Sequence, residues 1–202
     1  QLLDPTRVVS REGATLTRQA DGSWLASGKN PANEEYTIEA TAAAGAAALR
    51  IEALTHKSFP RNGPGRAGNG NFALGNLHIE TRPLITAKAK PHPITFIDAR
   101  ATHQQNTGTL SVKSSYDKDP NKSGWAVDLG GIGKDQAAVF VFDQALETAM
   151  QLRITMRFHV NTSHSFGRMR LAVARDAAAD IKADLGASGL LIEAVKALKS
   201  GT

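Results

Sequence analysis

Residues 151–160, QLRITMRFHV, alternate without a break. Leu152, Ile154, Met156, Phe158 and Val160 are apolar, while Arg153, Thr155, Arg157 and His159 are polar. A period of two places the first set on one face of a β-strand and the second on the other, a sorting no helix can make. Such a strand needs a layer to cover its apolar face, so the rest of the chain must supply sheets. The segments 35–42 (EYTIEATA), 48–56 (ALRIEALTH), 71–80 (NFALGNLHIE), 94–101 (ITFIDARA) and 168–176 (RMRLAVARD) read as further strands. The continuous apolar run AAVFVFDQA, 137–145, suits a strand buried on both faces. Asp21-Gly22, Asn62-Gly63, Asn69-Gly70 and Gly130-Gly131 punctuate the list as turn formers. The expected architecture is an all-β sandwich.

Faint internal repetition refines that expectation. ALRIEAL at 48–54 matches QLRITMR at 151–157, Trp24 and Trp125 precede them in similar contexts, and Gly65-Arg66 and Gly167-Arg168 follow. This predicts two related halves, 1–86 and 87–175, forming one pseudo-symmetric sandwich or two in tandem. The Pro-containing stretch 81–93 would join them. Residues 176–202 read as a helical tail or linker: SGLLIEAVKAL aligns Leu190, Leu191, Ala194, Val195 and Leu198 on one stripe behind the N-cap candidate Ser188.

Composition bounds the chemistry. With no cysteine in 202 residues, disulfides, thiolate metal sites, cysteine nucleophiles and covalent c-type haem attachment are excluded within the chain. No run of eighteen or more apolar residues is present, so no membrane insertion by a helix is expected. The opening QLLDPTRVV reads as a segment processed or cut from something longer. A net charge of +5 favours polyanionic partners, acidic polysaccharide among them. It is spread along the chain with no concentrated basic run or aromatic RNA-binding motif, which argues against nucleic acid.

Catalytic signatures are missing. GPGRAGNGN, 63–71, lacks the lysine and the following helix of a phosphate loop, so its glycines are expected to serve a tight turn. Glu34 and Glu35 are adjacent, point to opposite faces of a strand and make no carboxylate pair. The histidines 56, 78, 92, 103, 159 and 164 have no zinc spacing. The chain is therefore expected not to be an enzyme.

Candidate binding residues remain. Arg153, Arg157 and His159 share the polar face of their strand. If 168–176 returns as a hairpin partner, Arg168 and Arg170 extend a basic patch suited to carboxylates or sulfates. Arg66 in the glycine-rich loop is a further hand for a ligand. Trp125, like Trp24, is either a sugar-stacking platform or a core anchor. DKDPNKSGWAVD, 117–128, spaces Asp117, Asp119, Asn121 and Asp128 as oxygen ligands for a structural calcium, or else forms an ordinary acidic turn.

Four blocks carry a family likeness: DGSWLASGKNPANEEYTIEA (21–40), LRIEALTHKSFPRNGPGRAGNGNFALGNLHIE (49–80), SGWAV (123–127) with AAVFVF, and SHSFGRMRLAVARD (163–176). Together they resemble the non-catalytic module embedded in large exported planctomycete proteins that carry planctomycete-specific cytochrome-c-like domains. The resemblance implies a jelly-roll, galactose-binding-like sandwich, a carbohydrate-binding role, an extracytoplasmic location and neighbouring domains in a longer chain. The family's haem motif has no counterpart here, so no redox role follows. Two expectations result: a carbohydrate-binding module, for uronic or sulfated polysaccharide, or a structural domain that docks its neighbours.

Overall fold

The structure, a computed structural model, describes residues 1–85, 89–117, 119, 121–176 and 178. The chain runs through β1 (Arg7–Ser10), β2 (Ala14–Arg18), β3 (Trp24–Gly28), β4 (Glu34–Ala42) and β5 (Ala48–Leu54). It continues through β6 (Ala73–Leu74), β7 (Asn76–Pro83), β8 (His92–Pro93) and β9 (Phe96–Ala101). The last strands are β10 (Trp125–Ala126), β11 (Gln136–Phe142), β12 (Met150–Phe158) and β13 (Arg168–Ala174). Short 3-10 turns occupy Pro60–Asn62 and Val112–Tyr116. The expected helical tail falls, apart from Asp176 and Ala178, outside the described residues.

These strands form antiparallel sheets. One has the order β1-β4-β12-β7-β8, the other β2-β3-β13-β5-β11-β9, and β6 pairs with β10 in a small ladder. Each of the two large sheets takes strands from both 1–86 and 87–175. The fold is an all-β sandwich, and the alternation in the sequence is its cause. Leu152, Ile154, Met156 and Phe158 of β12, with Tyr36, Ile38 and Ala40 of β4 and Leu77 and Ile79 of β7, are sealed in the interior. Leu49 and Ile51 of β5, Phe140 and Phe142 of β11, and Met169, Leu171 and Val173 of β13 meet them from the other sheet. An aromatic cluster, Phe72, Trp125, Phe158 and Phe166, fills one part of the core with edge-to-face contacts. At roughly 25 cal/mol per Å² of apolar area removed from water, this interior is the main source of stability.

β12 and β13 are not hairpin partners. β12 lies between β4 and β7, whereas β13 lies between β3 and β5 in the opposite sheet. Residues 159–167 between them cross from one layer to the other, passing Phe166, which bridges to Gly65. There the glycine-rich loop finds its purpose. A Cβ on Gly65 would collide with the carbonyl of Asn71, and one on Gly63 with Gly70, so two chain segments lie closer than any side chain permits. Gly70, at φ +84°, supplies the left-handed turn. The predicted 71–80 strand breaks at Gly75 into β6 and β7.

Candidate functional site

The outer face of the three central strands of the five-stranded sheet, β4, β12 and β7, is polar. Strict alternation sends Glu35, Thr37, Glu39 and Thr41 outward from β4, Gln151, Arg153, Thr155 and Arg157 from β12, and Asn76, His78, Glu80 and Arg82 from β7. The antiparallel register aligns them in rows. Gln151 lies between Thr41 and Arg82, and Arg153 between Glu39 and Glu80. Thr155 lies between Thr37 and His78, and Arg157 between Glu35 and Asn76. Opposite charges thus face one another across strands, where side chains are within reach.

The ion pairs are loose at one end of this face and tight at the other. Arg157 Nε holds Glu35 at 2.8 Å, while Arg153 approaches Glu39 only to 3.9 Å with half of its side chain exposed. Arg7 of β1 shares Glu39 at 3.6 Å, and His78 lies 3.9 Å from Glu80. Arg82 makes no ion pair among the described residues, and with Glu39, Glu80, Gln151 and Arg153 it rims a depression of about 100 Å³. Its guanidinium and that of Arg153 offer forked donors, the two glutamates accept, and Gln151 does both. That set suits a polyhydroxylated ligand bearing carboxylate or sulfate, in the exposed setting a polymer needs.

Of the residues expected from sequence, Arg153 and Arg157 share this face, and His159 lies just past the end of β12. Arg168 and Arg170 are not on it, because β13 belongs to the opposite sheet. Arg170 is 5% exposed, bound to Glu52 at 2.6 Å, and Arg168 holds Asp21 at 2.6 Å and the Ser23 hydroxyl at 2.8 Å. Burial acts to raise the Asp21 carboxyl, but hydrogen bonds from Ser23 and the two guanidiniums outweigh it and hold that group below its ordinary value. Arg66 is not a ligand hand either. Its guanidinium is buried and donates to the carbonyls of Lys29 and Gly28, fastening the glycine-rich loop to the end of β3. Trp125 has no exposed surface: it packs on Phe72 and Phe166, and its indole donates to the His103 carbonyl. It is a core anchor.

The acidic loop does not take the form of a calcium site. Asp117 accepts from the Asp119 amide and the Ser123 hydroxyl, which makes it the hub of a local turn. Asp128 instead accepts from Asn69 and from the Leu129 amide. Among the described residues no three acidic or histidine side chains gather to hold a metal. Lys118 and Pro120 lie outside the described residues.

A larger cleft of about 560 Å³ runs beside β9, lined by His103, Thr107, Ser111 and Lys113 among others. Its polar groups are occupied within the chain. Lys113 is bound to Asp98 at 2.7 Å, His103 contacts the Asp128 carbonyl, and Ser111 pairs with Ser114. The sheet face keeps more of its capacity for a ligand.

Sequence reasoning missed Glu39, Glu80, Arg82 and Gln151. Only Gln151 and Arg153 lie on the strand that drew attention, and the others reach the site through cross-strand register. Compared with protein-family models, curated proteins and solved structures, the chain matches none.

Proposed function

We propose that this chain is a non-catalytic carbohydrate-binding module that takes acidic polysaccharide, uronic or sulfated, across the outer face of its five-stranded sheet. The observation that carries this is Arg82 beside the loosely held Arg153, with Gln151, Glu39 and Glu80 around them in a shallow depression of the sheet face. Donors and acceptors alternate there at strand spacing, and rigid strands hold the backbone beneath them. The net charge of +5 favours an anionic polymer.

The galactose-binding-like, jelly-roll reading belongs to the same proposal. It draws support from the strand orders β3-β13-β5-β11 and β4-β12-β7-β8, in which sequence-distant strands lie side by side in both layers. Support for two pseudo-repeated halves comes from the matching segments 48–54 and 151–157, which occupy interior strands of opposite sheets. The segments that carry the two Gly-Arg pairs also lie side by side, Gly167 donating to the Pro64 carbonyl and Gly65 bridging to Phe166. A role outside the cytoplasm, within a longer exported protein, fits such a ligand.

A second reading, a domain that docks its neighbours, draws on Leu84, Ile85, Ile97 and Leu129, which expose large apolar side chains. Affinity electrophoresis separates the two. Polygalacturonate or a sulfated glycan in the gel should retard the protein at low salt, and neutral xylan should not. Arg82→Ala with Arg153→Ala should abolish retardation without altering the melting temperature, each lost charged hydrogen bond costing roughly tenfold or more. A wild-type protein that no acidic polymer retards sinks the proposal and leaves the docking role.

A further inference from the structure

The outer face of the five-stranded sheet is far less basic than the chain that carries it. Its strands direct four arginines outward, Arg7, Arg82, Arg153 and Arg157, and three glutamates, Glu35, Glu39 and Glu80. One positive charge is in excess there, against +5 for the whole chain. Each glutamate has an arginine beside or opposite it. Glu35 holds Arg157, Glu39 is shared by Arg7 and Arg153, and Glu80 stands opposite Arg153 in the register. Of the four arginines, Arg82 is left without an ion pair among the described residues. The excess charge therefore has an address, the depression that Arg82 rims with Arg153, Gln151, Glu39 and Glu80.

We propose that this site takes an isolated uronate, in a glycan otherwise neutral around it, and that Glu39 and Glu80 select against sulfated chains; the proposal rests on the glycan-binding reading of this face. One carboxylate matches the one unpaired guanidinium, with Arg153, diagonal to Arg82 across β12 and β7, as the second fork. The two glutamates stand on either side of Arg153, and ionised carboxylates only accept hydrogen bonds. A sugar hydroxyl donates to them, whereas a sulfate ester has no proton to give. Each sulfation thus removes a donor and sets an anion beside an anion. The glutamate side chains are 21% and 34% exposed, so water shields them only in part. Glu80 lies two residues from Arg82 on β7, about 6.8 Å along the strand, inside the screening length of about 8 Å at physiological salt. A second anion drawn toward Arg82 meets the field of Glu80.

Chondroitin, whose uronates alternate with neutral sugars, and its sulfated form share one backbone and so isolate the effect. In calorimetric titration the full chain should bind unsulfated chondroitin about tenfold or more tightly than the sulfated polymer, as expected for a lost charged hydrogen bond. Affinity for the unsulfated chain should fall with salt at a logarithmic slope of about −1, as for a single neutralised anion. Glu80→Gln disturbs only a loose 3.9 Å contact with His78 and puts an amide donor where the anion was. It should strengthen the sulfated complex and cut the preference about threefold or more. Equal or tighter binding of the sulfated polymer by the wild type, a slope steeper than about −2, or a preference unchanged by Glu80→Gln overturns the proposal while the glycan-binding reading stands. Binding of polygalacturonate with neither form of chondroitin bound does the same. If no acidic polymer binds at all, both fall.

Discussion

Replacing Glu52 by glutamine should destabilise the protein far more than loss of a surface ion pair would. Its carboxylate is 6% exposed and serves two arginines, Arg50 at 2.8 Å and Arg170 at 2.6 Å, whose side chains are 10% and 5% exposed. With charge centres about 4 Å apart and an effective dielectric constant of about 20, each attraction is worth roughly 4 kcal/mol before desolvation is subtracted. Removing the shared anion takes away the closest counter-charge of Arg170, which keeps Asp21 at 3.5 Å, and a 2.8 Å partner of Arg50. Breaking a buried pair costs about 3–5 kcal/mol, and Asp21 with the glutamine amide oxygen recovers part of that, so a loss of about 3 kcal/mol is expected. For a urea slope of about 2 kcal/mol per M, the midpoint should fall by about 1.5 M. Equilibrium urea unfolding followed by tryptophan fluorescence reads this, since Trp125 lies in the core. The double variant Glu52→Leu with Arg170→Leu should recover much of the loss. A midpoint shift below about 0.3 M for Glu52→Gln would refute the reasoning, because an ion pair in water is worth only about 0–1 kcal/mol.

Two further outcomes follow from the geometry. Asp21 titrates below its ordinary value of 3.8 in the folded state, so the stability it contributes is present above about pH 4 and lost as pH falls through the depressed folded value. The difference in melting temperature between wild type and Asp21→Asn should therefore shrink from pH 7 to pH 3, and a constant difference would contradict the assignment. Gly65→Ala should cost about 3 kcal/mol, because its new methyl meets the Asn71 backbone, which has no flexible end to move aside. Urea unfolding measures it, and a change within about 0.5 kcal/mol would mean that the loop yields easily.

The contrast between Arg157 and Arg170 shows where sequence reasoning holds and where it stops. Both stand in alternating strands, and for both the outward direction is legible from period two alone. For Arg157 the expectation of a polar outer face is met. For Arg170 the same pattern gave no sign that its outer face is itself covered, or that Glu52, 118 residues away, lies opposite it. Arg66 failed differently: a glycine-rich neighbourhood suggests an exposed loop, yet the glycines are there so that the loop packs tightly against another segment, burying the arginine with it. Arg82 was invisible because its partners Gln151 and Arg153 lie on a strand far along the chain.

Which side of β4, β7 and β12 is wet was thus settled by local chemistry. Apolar side chains two apart can be withdrawn from water only together, and that alone makes this chain a layered β protein with an inner surface on Leu152, Ile154, Met156 and Phe158. Which strands become neighbours was decided only by the assembled tertiary structure. Backbone hydrogen bonds are alike at every residue and carry no address, so β12 and β13 part company at Phe166, one facing an exposed row of charges and the other a buried ion cluster. Pairing depends on how connections close and which apolar faces then fit together, quantities no single stretch of residues contains.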